Sequence, residues 1–392
     1  MRVLQLGKFY PIRGGVEKVM YDLLLGLSED QVYCDMLCAS TEGYPAGTIQ
    51  VNPYARIMVE PTSVRAASTM LAPKMVHTLR KICKQYDVIH IHHPDPMACL
   101  ALFLSGYRGK VVLHWHSDIL KQKVLLQLYR PLQSWLIRRA DVIVGTTPTY
   151  VRESPFLKKV QYKVTHVPIG VEPMTTDEQK VQQIRDRYPN KRLIFSLGRL
   201  VEYKGYEYLI RSAQHLDENF HILIGGKGPL AAPLQELIRA LGVQDKVTLL
   251  GFIADEDLPS YFGAMDMFCL SSIYKTEAFA IVQIEAMSCG KPVVSAHIPG
   301  SGVSWVNAHR QSGIVVPKED PEALAAAFKE IAGDDRLLKV LADGARTRYL
   351  QLFSRANMIG RSAILYRRLL KQPVHDEVQM PLPAAMPVRS HS

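Results

Sequence analysis

The chain has 392 residues, 47% of them hydrophobic and 21% charged, which excludes a wholly disordered or collagen-like polymer and suffices for two cored domains. Its 47 basic and 37 acidic side chains leave a net charge of +10. Residues 1–170 hold nearly all of that excess, with 21 basic against 12 acidic groups, while the rest balance at 26 against 25, so the basicity marks a docking face on one half.

A strand is predicted at Val3–Leu6 and an amphipathic helix at Val16–Leu27, with Gly14-Gly15 in the turn between them. Strand-forming sequence starts at Arg2, so no leader is expected ahead of it. The longest apolar run, Met97–Leu104, falls far short of the roughly 18–20 residues of a membrane-spanning helix. Strands at Asp87–Ile91, Lys110–Leu113, Asp141–Val144 and Tyr162–His166 alternate with helices at Pro96–Leu104 and Leu120–Arg138. Residues 171–190, polar and carrying Pro173 and Pro189, interrupt the alternation and read as a linker. It resumes at Leu193–Leu197 and continues through His221–Ile224, Lys246–Leu250, Met267–Leu270, Pro292–Ser295 and Gly313–Val316. Short runs of Val, Ile and Leu between helices read as parallel strands buried on both faces. The expected class is therefore α/β, with two Rossmann-like doubly wound domains, 1–170 and 191–353, facing across a cleft. A last helix is expected at 354–370, with arginines 355, 361, 367 and 368 on its polar side, and a proline-rich disordered tail at 371–392. Six cysteines without Cys-x-x-Cys spacing read as reduced, buried thiols.

Several turns carry chemistry. Gly14-Gly15 lets backbone approach an anion at a helix start, although a flexible turn explains it equally and Gly-x-Gly-x-x-Gly is missing. Arg199 and Lys204 follow the strand ending at Leu197, where a diphosphate would sit; as isolated residues they would be solvated surface charges. Gly225-Gly226-Lys227-Gly228 is either a simple tight turn or a second approach loop, and at Gly251-Phe252 a main-chain edge is placed to pair with a base. Glu277 precedes, and Glu285 lies within, a nearly uncharged helix predicted over 279–288. A carboxylate in so apolar a setting needs partners, either a structural ion pair or the hydroxyls of a ligand, and two of them around one helix favour the ligand. His114 and His116 lie at the end of a strand, and His90, His92 and His93 have no metal-site spacing. Asp255-Glu256-Asp257 has the spacing of a metal clamp but reads as a helix start.

Gly14-Gly15-Val16-Glu17, His116, Gly198-Arg199…Lys204-Gly205, the glycine run to Pro229 and Glu277-x7-Glu285-Ala-Met-Ser-Cys-Gly-Lys-Pro-Val-Val together resemble the retaining glycosyltransferases of family 4, over about residues 2–370. The resemblance implies a GT-B fold whose last helix crosses back to the first domain, with a nucleotide-sugar as substrate and neither cofactor nor divalent metal. It gives Arg199 and Lys204 to the diphosphate, Glu285 to the ribose, and Glu277 with the backbone of Phe279, Ala280 and Ile281 to the donor sugar and phosphate. Gly14-Gly15 would approach the reacting centre, His116 the donor sugar, and Gly228 and Phe252 complete the donor site. The usual Glu-Gly-Phe-Gly wording is replaced by Ala278 and Ala280, which fits if both keep negative φ.

The wording Ile298–Asn307 is similar to bacterial enzymes that build lipid-linked surface polysaccharides such as O-antigen. GDP-mannose is the expected donor, with UDP-sugars next, and a lipid-diphosphate-linked saccharide the expected acceptor. The stretch 121–139 mixes Lys121, Lys123, Arg130, Arg138 and Arg139 with Leu125, Leu128, Leu132, Trp135 and Leu136. It reads equally as a core helix with a solvated edge and as a surface for anionic lipid on the cytoplasmic face of the inner membrane. A sugar-nucleotide epimerase would share the architecture. A nucleic-acid-binding protein is disfavoured, because aromatic and basic residues do not interleave.

Overall fold

The computed structural model describes every residue except Arg13, Glu42, Ala67, Ser68, residues 120–122 and 374–392, together with the side chains of residues 65, 66, 69 and 123–125. The expected disordered tail thus lies almost wholly outside the described residues.

Two parallel sheets organise the chain. The first has eight strands in the spatial order Val164–His166, Val142–Gly145, Lys110–Trp115, Val88–His93, Arg2–Tyr10, Tyr33–Ser40, Ala55–Glu60 and Gly47–Asn52; the last pairs antiparallel. The second has six, Val247–Gly251, Phe220–Gly225, Arg192–Leu197, Met267–Leu270, Val293–His297 and Gly313–Pro317, all parallel. In each sheet the winding reverses once: between Arg2–Tyr10 and Val88–His93, and between Arg192–Leu197 and Met267–Leu270. Crevices open beyond the carboxyl ends of strands at such reversals.

The sequence pattern missed Tyr33–Ser40. Asp35 interrupts its apolar run, yet it is buried and satisfied by the Arg56 guanidinium at 3.0 Å and the Tyr86 hydroxyl at 2.6 Å. The segment 171–190 also needs correction, since it contains the helix Glu178–Asp186. Asp177 caps that helix by accepting from the Gln179 and Lys180 amides. Ile184 is buried and Arg185 pairs with Asp266 at 2.9 Å, so the helix packs on the second sheet's layer despite its polar composition.

The helix Arg355–Leu369 returns to the first domain. Gly26 accommodates it, since a Cβ there would fall 1.9 Å from Ile359 Cδ1. Arg355, expected on the helix's polar side, is mostly buried and reaches Glu29 at 3.2 Å and Glu172 at 3.1 Å. The outgoing and returning chains cross side by side. The Val171 amide donates to Phe353 O at 2.9 Å and the Arg355 amide to Val171 O at 3.0 Å. A Cβ on Gly170 would lie 2.2 Å from Ser354 O, so only glycine allows that approach. The six cysteines are all free thiols, and no helix among the described residues is long and apolar enough to cross a membrane.

Candidate functional site

At the second sheet's reversal, two loops meet. The turn Glu202–Lys204 follows the strand Arg192–Leu197, and Gly205 closes it with φ +62°; a Cβ there would strike Ser271 O at 2.3 Å. This seats Lys204 against the loop that leaves Met267–Leu270. Its Nζ lies 2.5 Å from Glu277 Oε2, which also accepts from the Ser272 hydroxyl at 2.9 Å. The two side chains are only 10% and 11% exposed. Burial works against the ammonium, but the adjacent Glu277 carboxylate, with Tyr203, holds Lys204 above its ordinary pKa. Lys204 and Glu277, separate ligand contacts in the sequence reading, are thus one ionic unit. Arg199 is exposed after the end of the same strand.

The helix Ile281–Ser288 begins at Ala280, which has φ +62° and ψ +81°. This corrects the expectation of negative φ there, whereas Ala278 keeps it. The left-handed start leaves the Ile281 and Val282 amides without a backbone acceptor at the helix end among the described residues, while the Gln283 amide donates to Ala280 O at 3.0 Å. Phe279 turns its ring into the core against Phe353, at 5.9 Å between centroids, and its carbonyl accepts from Gln283. Ile281 meets the first domain: a Cβ on Gly15 would lie 2.9 Å from Ile281 Cδ1. The Gly14-Gly15 turn is braced by the buried Glu17 carboxylate, whose pKa is raised by burial against the opposing effect of Lys8. Glu285, one turn into the helix, is partly buried, and among the described residues its carboxylate has no hydrogen bond or ion pair. Burial pushes its pKa up to about 7; Lys18 of the first domain opposes the shift and Asp255 adds to it.

Gly226 and Gly228 have a packing role. Added Cβ atoms would lie 1.9 Å from Gly198 O and 2.3 Å from Leu200 O, so these glycines let two strand-end loops stack, and Gly228 needs no ligand to explain it. Phe252 is 66% exposed beside them, with Lys227 Nζ 5.0 Å from its ring centroid.

Across the cleft, His116 follows Lys110–Trp115 and is 6% exposed. It stacks on His114 at 4.0 Å and bonds through Nε2 to His92 Nδ1 at 2.9 Å. Burial, largest among the causes, holds His116 well below the usual histidine pKa, so the ring is neutral. His90, His92 and His114 bring ring nitrogens within 4.8 Å of one another. Their rings nevertheless stack, at 7° between His90 and His114 and 24° between His90 and His92, so the in-plane lone pairs run alongside one another without converging on an ion.

Two family models cover most of this architecture. "Glycosyltransferase Family 4" matches residues 13–174 and "Glycosyl transferases group 1" matches 177–348. The O-antigen chain mannosyltransferase C of Escherichia coli is 30% identical over 95% of this chain and 99% of its own. The D-rhamnosyltransferase WbpZ of Pseudomonas aeruginosa is 31% identical over 90% of this chain and 92% of its own. The chain belongs to glycosyltransferase family 4. A sucrose-phosphate synthase from Thermosynechococcus elongatus superposes with a TM-score of 0.75 at 20% identity, covering 95% of this chain and 100% of that one, and the fold is GT-B.

In this glycosyltransferase Arg199, Lys204, Glu277, Phe279, Ala280, Ile281 and Glu285 gather around the second sheet's reversal, Gly228 and Phe252 follow the two strands beside it, and Gly14, Gly15 and His116 belong to the opposing domain. Sequence reasoning missed Ser272, which fixes Glu277, and Lys275, which crosses to the first domain. Lys275 Nζ lies 3.3 Å from the fully buried Asp118 and 3.2 Å from Glu153 O. Ser272 was accessible to the positional rule that singled out Lys204, because it lies two residues past a buried strand. Lys275 had no such signal, since its partner is more than 150 positions away.

Proposed function

We propose that the protein is a retaining hexosyltransferase that moves mannose from GDP-mannose to a lipid-diphosphate-linked saccharide in surface-polysaccharide synthesis such as O-antigen assembly. The observation that carries the reading is the buried Lys204–Glu277 pair beside the start of helix Ile281–Ser288. It joins a fixed cation, a hydroxyl-binding carboxylate and free amides at the sheet's reversal. The choice of mannose is supported by the two relatives, named for mannosyl and D-rhamnosyl transfer; D-rhamnose is 6-deoxymannose.

In this mechanism Lys204, Arg199 and the helix amides stabilise the departing nucleotide diphosphate as an oxocarbenium-like centre forms. They meet the diphosphate charge in place of a divalent cation. The acceptor hydroxyl enters from the leaving-group side, Glu285 receives the ribose hydroxyls, and Phe252 lies beside the base. The acceptor's lipid is matched by an exposed apolar patch on the basic domain. Leu100, Phe103 and Leu104 of helix Pro96–Ser105 and Leu128, 77% exposed, of helix Lys123–Arg139 lie outward, near the exposed Arg130 and Arg138. Leu136 belongs to the core, so only part of the amphipathic stretch read from sequence serves this face, and Lys121 lies outside the described residues. This patch supports a peripheral position for the enzyme, which the proposed chemistry puts on the cytoplasmic face of the inner membrane.

The test is a screen of GDP- and UDP-sugars for donor hydrolysis and thermal stabilisation. GDP-mannose is expected to give the largest shift. Preference for a UDP-sugar overturns the donor assignment, and conversion of the sugar nucleotide without transfer or hydrolysis establishes an epimerase instead.

A further inference from the structure

Gln5 sits at the centre of the first sheet, fully buried, with His92 on the neighbouring strand. Its amide oxygen lies 2.7 Å from His92 Nε2, while its amide nitrogen faces Cys34 Sγ at 3.7 Å. The donor contact to Cys34 and the acceptor contact to His92 fix which end of the amide faces the histidine, and Tyr366 of the returning helix closes the row by bonding His90 Nδ1 at 2.6 Å. An amide oxygen only accepts, hence His92 Nε2 carries the proton. A neutral imidazole has one N–H, which leaves His92 Nδ1 as an acceptor. The bond from His92 Nδ1 to His116 Nε2 is then donated by His116. With its single proton on Nε2, His116 keeps its lone pair on Nδ1, and no hydrogen bond falls on that atom among the described residues.

We propose that Gln5 and His92 are positioning residues that lock His116 in the Nε2–H tautomer, so that Nδ1 accepts a hydrogen bond from a hydroxyl of the bound donor sugar. The second half of this statement rests on the functional reading above, in which His116 faces that sugar; the first half stands on the buried chain alone. The consequence is a polarity requirement. The site takes a sugar that donates at this position and gains nothing from one whose oxygen there only accepts, such as a methyl ether.

Ring-nitrogen NMR of the full-length protein labelled with ¹⁵N-histidine tests the lock directly, with the His116 signals assigned by their loss in His116→Asn. In the parent protein, Nε2 of His116 is expected to be protonated and Nδ1 unprotonated. In Gln5→Leu and His92→Phe the same ring should become a mixture of tautomers. A protonated Nδ1 in the parent overturns the proposal, and so does an unchanged tautomer in both variants. If one variant fails to fold, the other and the parent spectrum still decide. In turnover, Gln5→Leu should lower kcat roughly tenfold or more while moving the donor KM by less than about threefold. A normal kcat in a variant with scrambled tautomers removes the sugar contact. Absence of turnover in the parent refutes the functional reading and leaves the tautomer result standing.

Discussion

Replacing Lys204 by methionine keeps the apolar stem and removes one charge of the pair buried with Glu277. At the observed 2.5 Å separation, an effective dielectric of about 20 gives roughly 7 kcal/mol of Coulomb attraction, most of it offset by desolvating both groups. Removing one partner of such a pair typically costs about 3–5 kcal/mol, because the other charge is left buried and unpaired. The Ser272 hydroxyl still donates to Glu277, which favours the lower end. About 3 kcal/mol corresponds to a fall in melting temperature of roughly 6–12 °C for a domain of this size. If Lys204 also meets the leaving diphosphate, kcat falls by about 10²-fold. The double variant Lys204→Met/Glu277→Gln separates the two effects: with both charges gone, stability should largely return while turnover does not. The assays are thermal unfolding followed by circular dichroism and donor hydrolysis followed by chromatography. A Lys204→Met protein that melts with the parent and turns over normally would falsify the reasoning. Lost stability with normal turnover would reduce the pair to scaffolding.

The Glu285 carboxyl, with its pKa pushed up to about 7, keeps a proton in the folded protein that the unfolded chain releases near 4.5, so its contribution to stability declines as pH rises between those values. The ionised form accepts from two hydroxyls, so nucleotide binding should tighten roughly tenfold from pH 6 to pH 8, and calorimetry should show Glu285→Gln flattening that profile; an unaltered profile refutes the ribose role. Ala280→Gly exchanges a left-handed alanine and a buried methyl for a flexible residue, and its stability should stay within about 1 kcal/mol of the parent. Ala280→Val should lose about 2 kcal/mol or more, and equal melting of the three proteins would contradict the positive φ. Excess EDTA should leave turnover unchanged, whereas a loss restored by Mg²⁺ or Mn²⁺ overturns the metal-free mechanism. Leu128→Asp with Phe103→Asp should weaken binding to anionic vesicles roughly tenfold or more in flotation, and undiminished flotation discards the docking patch.

The double winding was legible because both sheets are mostly parallel, and buried parallel strands such as Leu193–Leu197 read as unbroken apolar runs. Where burial was shared with polar partners the signal failed: Asp35 hid a strand by supplying the carboxylate that Arg56 and Tyr86 require. The polar surface of Glu178–Asp186 hid a helix that buries little more than one side. Candidate site residues such as Arg199 and Lys204 were singled out by their place after strands, and Glu277 and Glu285 by an apolar helix. Their pairing was not, because Lys204 and Glu277 meet only through the reversal in strand order, and no local pattern encodes it. The sign of φ at Ala280 was misjudged for a related reason: the tertiary setting of the helix start imposes a conformation that alanine alone would avoid.

Two covalent passages between the lobes lie side by side, joined by main-chain bonds at Val171, Phe353 and Arg355. Such a seam resists sliding and shear but permits rotation about its own line, in the manner of a book spine. Opening the cleft wide enough to part Gly15 from Ile281 is therefore a swing about one axis, and the travel of each wall grows in proportion to its distance from that spine.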